Sequence, residues 1–404
     1  MRVSTAFYTQ RGLNSILEQQ ARLADIQEQV SSGKRLLRPS DDPTGAAQIL
    51  RLEQAIAKTD QYQRNADSAV NRLVLEEATL DSVQDSLLRV RDLAVQGSNA
   101  TLSDTDRLAL AQEARERLKE LMSLANTRDA NQEYLFSGYQ VNTKPFSQAA
   151  DGTFIYNGDQ GQRALQISTG RSISDSDSGS DTFVSMKNGN GTFQINANVA
   201  NTGTGIFNIG QVIDPSAYVA DTYTITIAGT PGNLTYGVTG VASGVVIAAG
   251  TTFTAESAIQ FNGIQTGISG TPVAGDVYTV APSSTQDMFS TVQKLVTALE
   301  TSTSNSPVQQ SRVNNSMNQF LSEIDIAFDN VTRIRTNVGA RLKTIDDQVN
   351  VNESFKIEMA STLSSVRDLD IAEAAVELQS RLIALEAAQA TYSRIQGLSL
   401  FEFI

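Results

Sequence analysis

Apolar residues recur along this chain in alternating steps of three and four, and the places where that rhythm stops divide it. Near one end Ile371, Ala375, Leu378, Leu382, Leu385, Gln389 and Tyr392 keep the step, the seam of a helix that packs along another helix. Residues 13–30 carry a similar stripe at Leu13, Ile16, Leu23, Ile26 and Val30, interrupted by Gln19 and Gln20. The shared period makes the two stretches candidate partners in a coiled coil. The plainer alternative is two ordinary amphipathic helices on one core. The last residues include Leu398, Leu400, Phe401, Phe403 and Ile404, an apolar tail that reads as a surface to be buried.

Between these stretches the pattern predicts further elements. Gly33 suits the left-handed position after a helix, and Arg38-Pro39 disfavours helix at Arg38. Asp42 and Pro43 suit the cap and first residue of a new one. That helix is long: Ile49, Leu52, Ile56, Thr59, Gln63, Ala66, Val70, Leu73, Glu77 and Leu80 share a stripe, and after a phase slip Val83, Leu87, Val90 and Ala94 continue it. Through residue 96 it makes a rod of roughly 80 Å. Ser103 or Asp104 caps a third helix carrying Leu108, Ala111, Leu118, Met122 and Ala125. A short helix carries Phe289, Val292, Leu295 and Leu299, and Pro307 breaks or starts another. A second rod runs from Val313 through Met317, Phe320, Ile324, Ala327, Val331, Ile334, Val338, Leu342 and Ile345 to Val349.

The middle has a different period. Residues 134–139 are β-prone, and Thr153–Asp159 with Arg163–Ser168 reads as two strands around a glycine turn. Residues 172–285 are rich in Gly, Thr, Ser and Asn, with Lys187 their one basic residue. Short strands at 223–227 and 244–247 suggest a β-rich insertion, with disorder the competing reading. Asp221-Thr-Tyr-Thr and Asp276-Val-Tyr-Thr form a weak repeat or two similar strand starts. The predicted fold class is α+β and multidomain: a long-helix coiled-coil or bundle body formed by both chain ends, with a β-rich inserted outer region. Its divisions are 1–42 with 360–404 as a terminal coiled coil, 43–140 with 286–359 as a long-helix bundle, and 141–285 as the insertion.

Composition narrows the chemistry. Among 404 residues there is no His, Cys or Trp, which removes Ser-His-Asp and Cys-His nucleophiles and the usual zinc sites. A formal charge of −13 argues against nucleic-acid binding, which needs a basic face. The sequence offers neither a signal-peptide apolar core nor a run of about 20 apolar residues for membrane insertion. By itself this predicts a cytoplasmic protein, or one exported by a route that needs no signal peptide. Asp175, Asp177 and Asp181 suggest a calcium loop but lack the bidentate Glu at its end and a preceding helix, so a solvated acidic linker is expected. Asp41 and Asp42 are explained by capping and by ion pairing with Lys34, Arg35 or Arg38. Gly189-Asn-Gly191 lacks the Lys-Ser/Thr of a phosphate loop. No catalysis, cofactor or metal is predicted.

Ser31-Ser-Gly-Lys-Arg35 and Asp41-Asp-Pro-Thr-Gly45-Ala-Ala47 resemble the N-terminal signature of the bacterial flagellin family. Asp368-Leu-Asp370, the terminal heptads and Leu398-Ser-Leu-Phe-Glu-Phe-Ile404 resemble its hook-associated branch. So do Tyr134-Leu-Phe-Ser-Gly138, Pro145-Phe146 and Tyr156-Asn-Gly-Asp159 with Arg163. The resemblance covers roughly residues 1–170 and 286–404, leaving about 183–285 as a variable outer part. It implies an extracellular structural protein of the bacterial flagellum at the hook–filament junction, secreted without a signal peptide by type III export. Its implied partners are other copies of itself in a ring, the first hook-associated protein, filament flagellin and the export chaperone FlgN. A filament-forming flagellin is the alternative, and an outer-domain adhesin a more distant one. The expected assembly interface comprises Leu13, Ile16, Leu23, Val30, Lys34, Arg35, Asp41, Asp42, Ile371, Leu378, Leu382, Leu385, Tyr392, Leu398, Leu400, Phe401, Phe403 and Ile404.

Overall fold

The computed structural model describes residues 5–99, 101–303 and 306–397. Its helices are α1 (Thr5–Ser32), α2 (Pro43–Gly97), α3 (Asp104–Ala125), α4 (Met288–Glu300), α5 (Pro307–Arg367) and α6 (Ile371–Gly397). The chain forms two compact units, Met1–Arg64 with Asp347–Ile404 and Asn65–Asp346.

In the first unit α1 packs against α6. The pairing is antiparallel: Gly12 lies under the Tyr392 ring, while the Gly33 carbonyl accepts the Leu369 amide at 3.0 Å. The ends of α2 and α5 pair alongside through Asp60 and Lys356, 2.6 Å apart, and Glu53 and Arg367, 3.8 Å apart.

The second unit has a helical core and a sheet core. In α2 the buried seam runs Ala66, Ala69, Leu73, Glu76, Leu80, Val83, Leu87, Val90 and Ala94. These steps alternate without interruption, so the predicted phase slip is absent. Ala69 and the carboxylate of Glu76 hold the seam positions expected at Val70 and Glu77. In α3, Arg107 is buried and Leu108 exposed, which turns that seam by one residue to Arg107, Ala111, Ala114, Leu118, Leu121 and Ala125. Ser103 caps α3 by accepting the Asp106 amide at 3.2 Å. Asp287 caps α4 through Ser290 N at 2.7 Å. Pro307 starts α5, where its missing N–H costs nothing, and the predicted α5 stripe from Val313 to Ile345 is buried apart from a half-buried Leu342.

After α3 the chain folds back in short hairpins. Residues 134–139 form an irregular packed loop around buried Leu135 and Phe136 rather than a strand. β2 (Phe154–Tyr156) pairs with β1 (Phe146–Gln148), and β3 (Ala164–Ser168) with β4 (Arg171–Ser174). The two strands expected to pair across the glycine-containing turn at 160–162 therefore belong to different hairpins. The acidic stretch that follows is no solvated linker: Asp175 and Asp177 are buried and ion-paired to Arg163 and Arg341.

The insertion is ordered β structure, which displaces the disorder reading. Its entry and exit pair with each other as β5 (Met186–Lys187) and β15 (Thr285–Gln286). Between them lie β6 (Phe193–Ala197), β7 (Ile206–Phe207), β8 (Gln211–Val212), β9 (Tyr223–Thr230), β10 (Asn233–Gly240), β11 (Val246–Thr252), β12 (Ala258–Phe261), β13 (Ile264–Ser269) and β14 (Val277–Pro282). One sheet has the order β11-β10-β9-β14-β6, and another has β12-β13-β7, with β8 also on β13. Phe193, Ile195, Tyr223, Ile225, Val238 and Tyr278 lie in a common core. The two similar strand starts are neighbours, with Tyr278 opposite Ile225 in β9.

Candidate assembly surface

The flagellin-like signature is a built turn. Gly33 adopts φ +68°, the left-handed conformation that ends α1, and its amide donates to Gln29 O at 2.8 Å. Lys34 and Asp368 form an antiparallel bridge. Arg35 donates its amide to Arg367 O and its guanidinium to Val366 O, both at 2.8 Å. The two motifs quoted from opposite ends of the sequence therefore meet in space, joining the loop between α1 and α2 to the loop between α5 and α6.

Asp41 accepts the Arg38 amide at 2.9 Å. Arg38 itself pairs with Glu28 at 3.4 Å, not with the aspartates. Asp42 caps α2, its Oδ1 accepting Gly45 N at 2.9 Å, Thr44 N at 3.1 Å and Thr44 Oγ1 at 2.6 Å. The Gly45 amide, then the Thr44 hydroxyl, hold its carboxyl below the usual range. A Cβ at Gly45 would stand 2.5 Å from Asp42 Oδ2 and 2.8 Å from Leu36 Cδ1, so the glycine permits the close turn. Asp370 caps α6 through Ala372 N at 2.9 Å. Its neighbour Asp368 is held below the usual range first by Arg367 and then by Ser364.

Along the helix pair, Ile16, Leu23 and Val30 of α1 and Leu378, Leu385 and Tyr392 of α6 are half-buried at the seam. The intervening positions differ from the expected stripe. On α1 they are Gly12, Gln19 and buried Ile26, with Leu13 outside the seam and exposed. On α6 they are Ala374, Arg381 and Ala388, while Ile371, Leu382 and the expected Ala375 and Gln389 face outward. Gln19 Oε1 is shielded from solvent without a hydrogen-bond partner among the described residues. Leu398, Leu400, Phe401, Phe403 and Ile404 lie outside the described residues.

Outside the seam, apolar side chains stand exposed among polar ones. Val376 is 72 % exposed, Ile371 65 % and Ile383 57 %, and Phe7, Leu13 and Leu17 are exposed on α1. Val376 and Ile383 lie seven residues apart, so they form a second stripe that a single-seam reading passes over. Among the described residues, no group of three metal-ligating side chains assembles, and no helix is long and apolar enough to cross a membrane.

The model of the bacterial flagellin N-terminal helical region matches residues 3–141, and that of the C-terminal helical region matches 321–404. Flagellar hook-associated protein 3 of Salmonella typhimurium is 35 % identical over 186 residues, 46 % of this chain and 58 % of that protein. The match thus spans little more than half of that relative's length. The crystal structure of flagellar hook-associated protein-3 from Legionella pneumophila aligns with a TM-score of 0.75 at 34 % identity, over 79 % of this chain and 98 % of that one. The flagellar junction protein FlgL from the same organism aligns at 0.72 and 33 %, over 80 % and 100 %. The chain belongs to the bacterial flagellin family, within its hook-associated protein 3 (FlgL) branch.

Proposed function

We propose that the chain is a non-catalytic structural adaptor at the flagellar hook–filament junction. Copies assemble as a ring between the first hook-associated protein and filament flagellin. The observation that carries this reading is the surplus of apolar surface on α1 and α6. Their shared seam uses one face of each helix and leaves Ile371, Val376 and Ile383 in water. Exposed apolar side chains grouped on one helix face mark an interaction surface, and an isolated helix pair is marginal. Each such side chain that a neighbour covers contributes about 1.5–3 kcal/mol at full burial. Stacked copies therefore stabilise the paired ends more than the seam alone does, and folding of those ends is coupled to assembly. The proposed interface is Leu13, Ile371 and Leu382 with Val376 and Ile383, the seam residues and signature turn shaping it from beneath. Reaching that place requires export through the flagellar type III apparatus as an unfolded chain escorted by FlgN.

Immuno-electron microscopy of cells carrying the tagged chain tests the role. Label confined to the hook–filament boundary supports it. Label along the whole filament establishes a filament-forming flagellin instead. The pair Val376→Asp and Ile383→Asp tests the surface: the secreted protein keeps its helix content but is lost from the boundary. Normal incorporation of that variant overturns the assignment of the α6 face.

A further inference from the structure

Glu76 sits at a seam position of α2 and is fully buried. Its Oε1 accepts the Asp177 amide at 3.0 Å, and its Oε2 is shielded from solvent without a hydrogen-bond partner among the described residues. The Asp177 carboxylate is itself buried. It accepts Arg341 of α5 at Oδ2 and Gln162 Nε2 at Oδ1, 3.1 Å away. Two buried carboxylates thus stand with one guanidinium. The neighbouring cations are engaged elsewhere. Arg72, one turn back on α2, binds Asp129 and Glu133. Arg163 binds Asp175 and Glu133, and Arg335 of α5 binds Glu77 and Asp81. A buried carboxylate without its own counter-ion takes up a proton instead of staying charged.

We propose that Glu76 is a proton latch: neutral, it seats the 175–179 segment between α2 and α5 at the foot of the β insertion, and ionised, it releases that segment. Burial first, then the Asp177 carboxylate, push Glu76 well above the usual carboxylate range, against the pull of Arg341. The folded value is raised above the unfolded one, so the latch is fully closed below the ordinary glutamate range and opens as pH rises through the folded value. Arg341 still donates to Asp177 Oδ2, and Asn330 still holds the Asp181 and Thr182 carbonyls at 2.9 and 3.0 Å. Opening is therefore local to 175–179. This device is independent of the assembly role.

Amide exchange in the full-length chain tests it, read from acid to alkaline pH and corrected for base-catalysed chemistry. In the wild type, protection of the Asp177 amide falls by up to about tenfold per pH unit from the ordinary glutamate range to the Glu76 value and levels off above it. In Glu76→Gln, whose neutral amide oxygen still accepts the Asp177 N–H, protection stays flat with pH. Parallel profiles in the two proteins overturn the proposal. Infrared spectroscopy of isotope-labelled glutamate carboxyls in the wild type gives a second readout that needs no variant to fold. One glutamate still protonated well above the ordinary glutamate range, and retained in a Glu77→Gln control, supports the latch. All glutamates titrating in the ordinary range overturn it.

Discussion

Asp42 shows how one side chain sets the direction of a long helix. The first amides of any helix lack intrahelical acceptors, and Asp42 Oδ1 takes those of Thr44 and Gly45 while the residues before it reverse the chain. Gly45 matters because a methyl group there would collide with the capping carboxylate and with Leu36. Asp42→Ala leaves the Thr44 and Gly45 amides to water, so their exchange should quicken while the middle of α2 is unchanged. Unaltered exchange at both amides would show that the cap is idle. The pH dependence has a definite sign. Because the folded carboxyl titrates below its unfolded value, its contribution is present above the ordinary aspartate range and is lost as pH falls through the lowered value. Fraying of the first turn in acid should therefore be a wild-type property that Asp42→Ala lacks, since the variant is frayed at every pH.

At the scale of elements, the seams carry the same lesson in four helices. The period and the helices it marks were legible because apolar residues hold most seam positions. Rotation about each axis was misread wherever a polar or glycine residue held the intervening one: Gly12 and Gln19 in α1, Glu76 in α2, Arg107 in α3 and Arg381 in α6. A search for apolar steps moves to the next apolar neighbour, Leu13, Leu108 or Leu382, and turns the helix by one residue. Strand pairing failed for a different reason: a short strand such as β2 specifies that it pairs, but several neighbours offer equivalent ladders. The buried Asp175 and Asp177 were hidden because their counter-ions, Arg163 and Arg341, arrive from other elements. Polar seam residues fix register at a cost in stability, which gives Gln19 a testable role. Its shielded Oε1 lacks a partner among the described residues, and an unsatisfied buried acceptor costs about 1–3 kcal/mol. Gln19→Leu should therefore stabilise the α1–α6 pair by about 1–2 kcal/mol, read as slower amide exchange along α1 and α6 at fixed denaturant. Faster exchange in the variant would mean that the glutamine is satisfied and holds the pair together.

For the whole molecule, the β insertion is joined to the helices at one neck. Lys187 pairs with Thr285, Asn188 N donates to Ser284 O at 3.1 Å, and Ser283 Oγ donates to Asn188 O at 2.7 Å. The two strands of the neck thus run side by side before and after the insertion. Beyond it the insertion has a hydrophobic core of its own, and its hydrogen bonds to α5 are polar and few in kind. Asn315 accepts Phe207 N at 2.9 Å and donates to Gly205 O at 3.1 Å, Asn318 donates to Phe207 O at 3.3 Å, and Arg312 donates to Asn201 O at 3.1 Å. Each such bond has a net value of about 0.5–1.5 kcal/mol because water replaces it. Excising residues 190–283 and closing the neck with a short glycine-containing turn should therefore leave a folded protein. Exchange protection along α3 and α4 should match the full chain, with losses confined to α5 around Arg312–Asn318. Under the adaptor reading the excised chain should also still reach the hook–filament boundary, because the α6 face is untouched. Loss of protection across α3 and α4 would show instead that the outer sheets are part of the cooperative core.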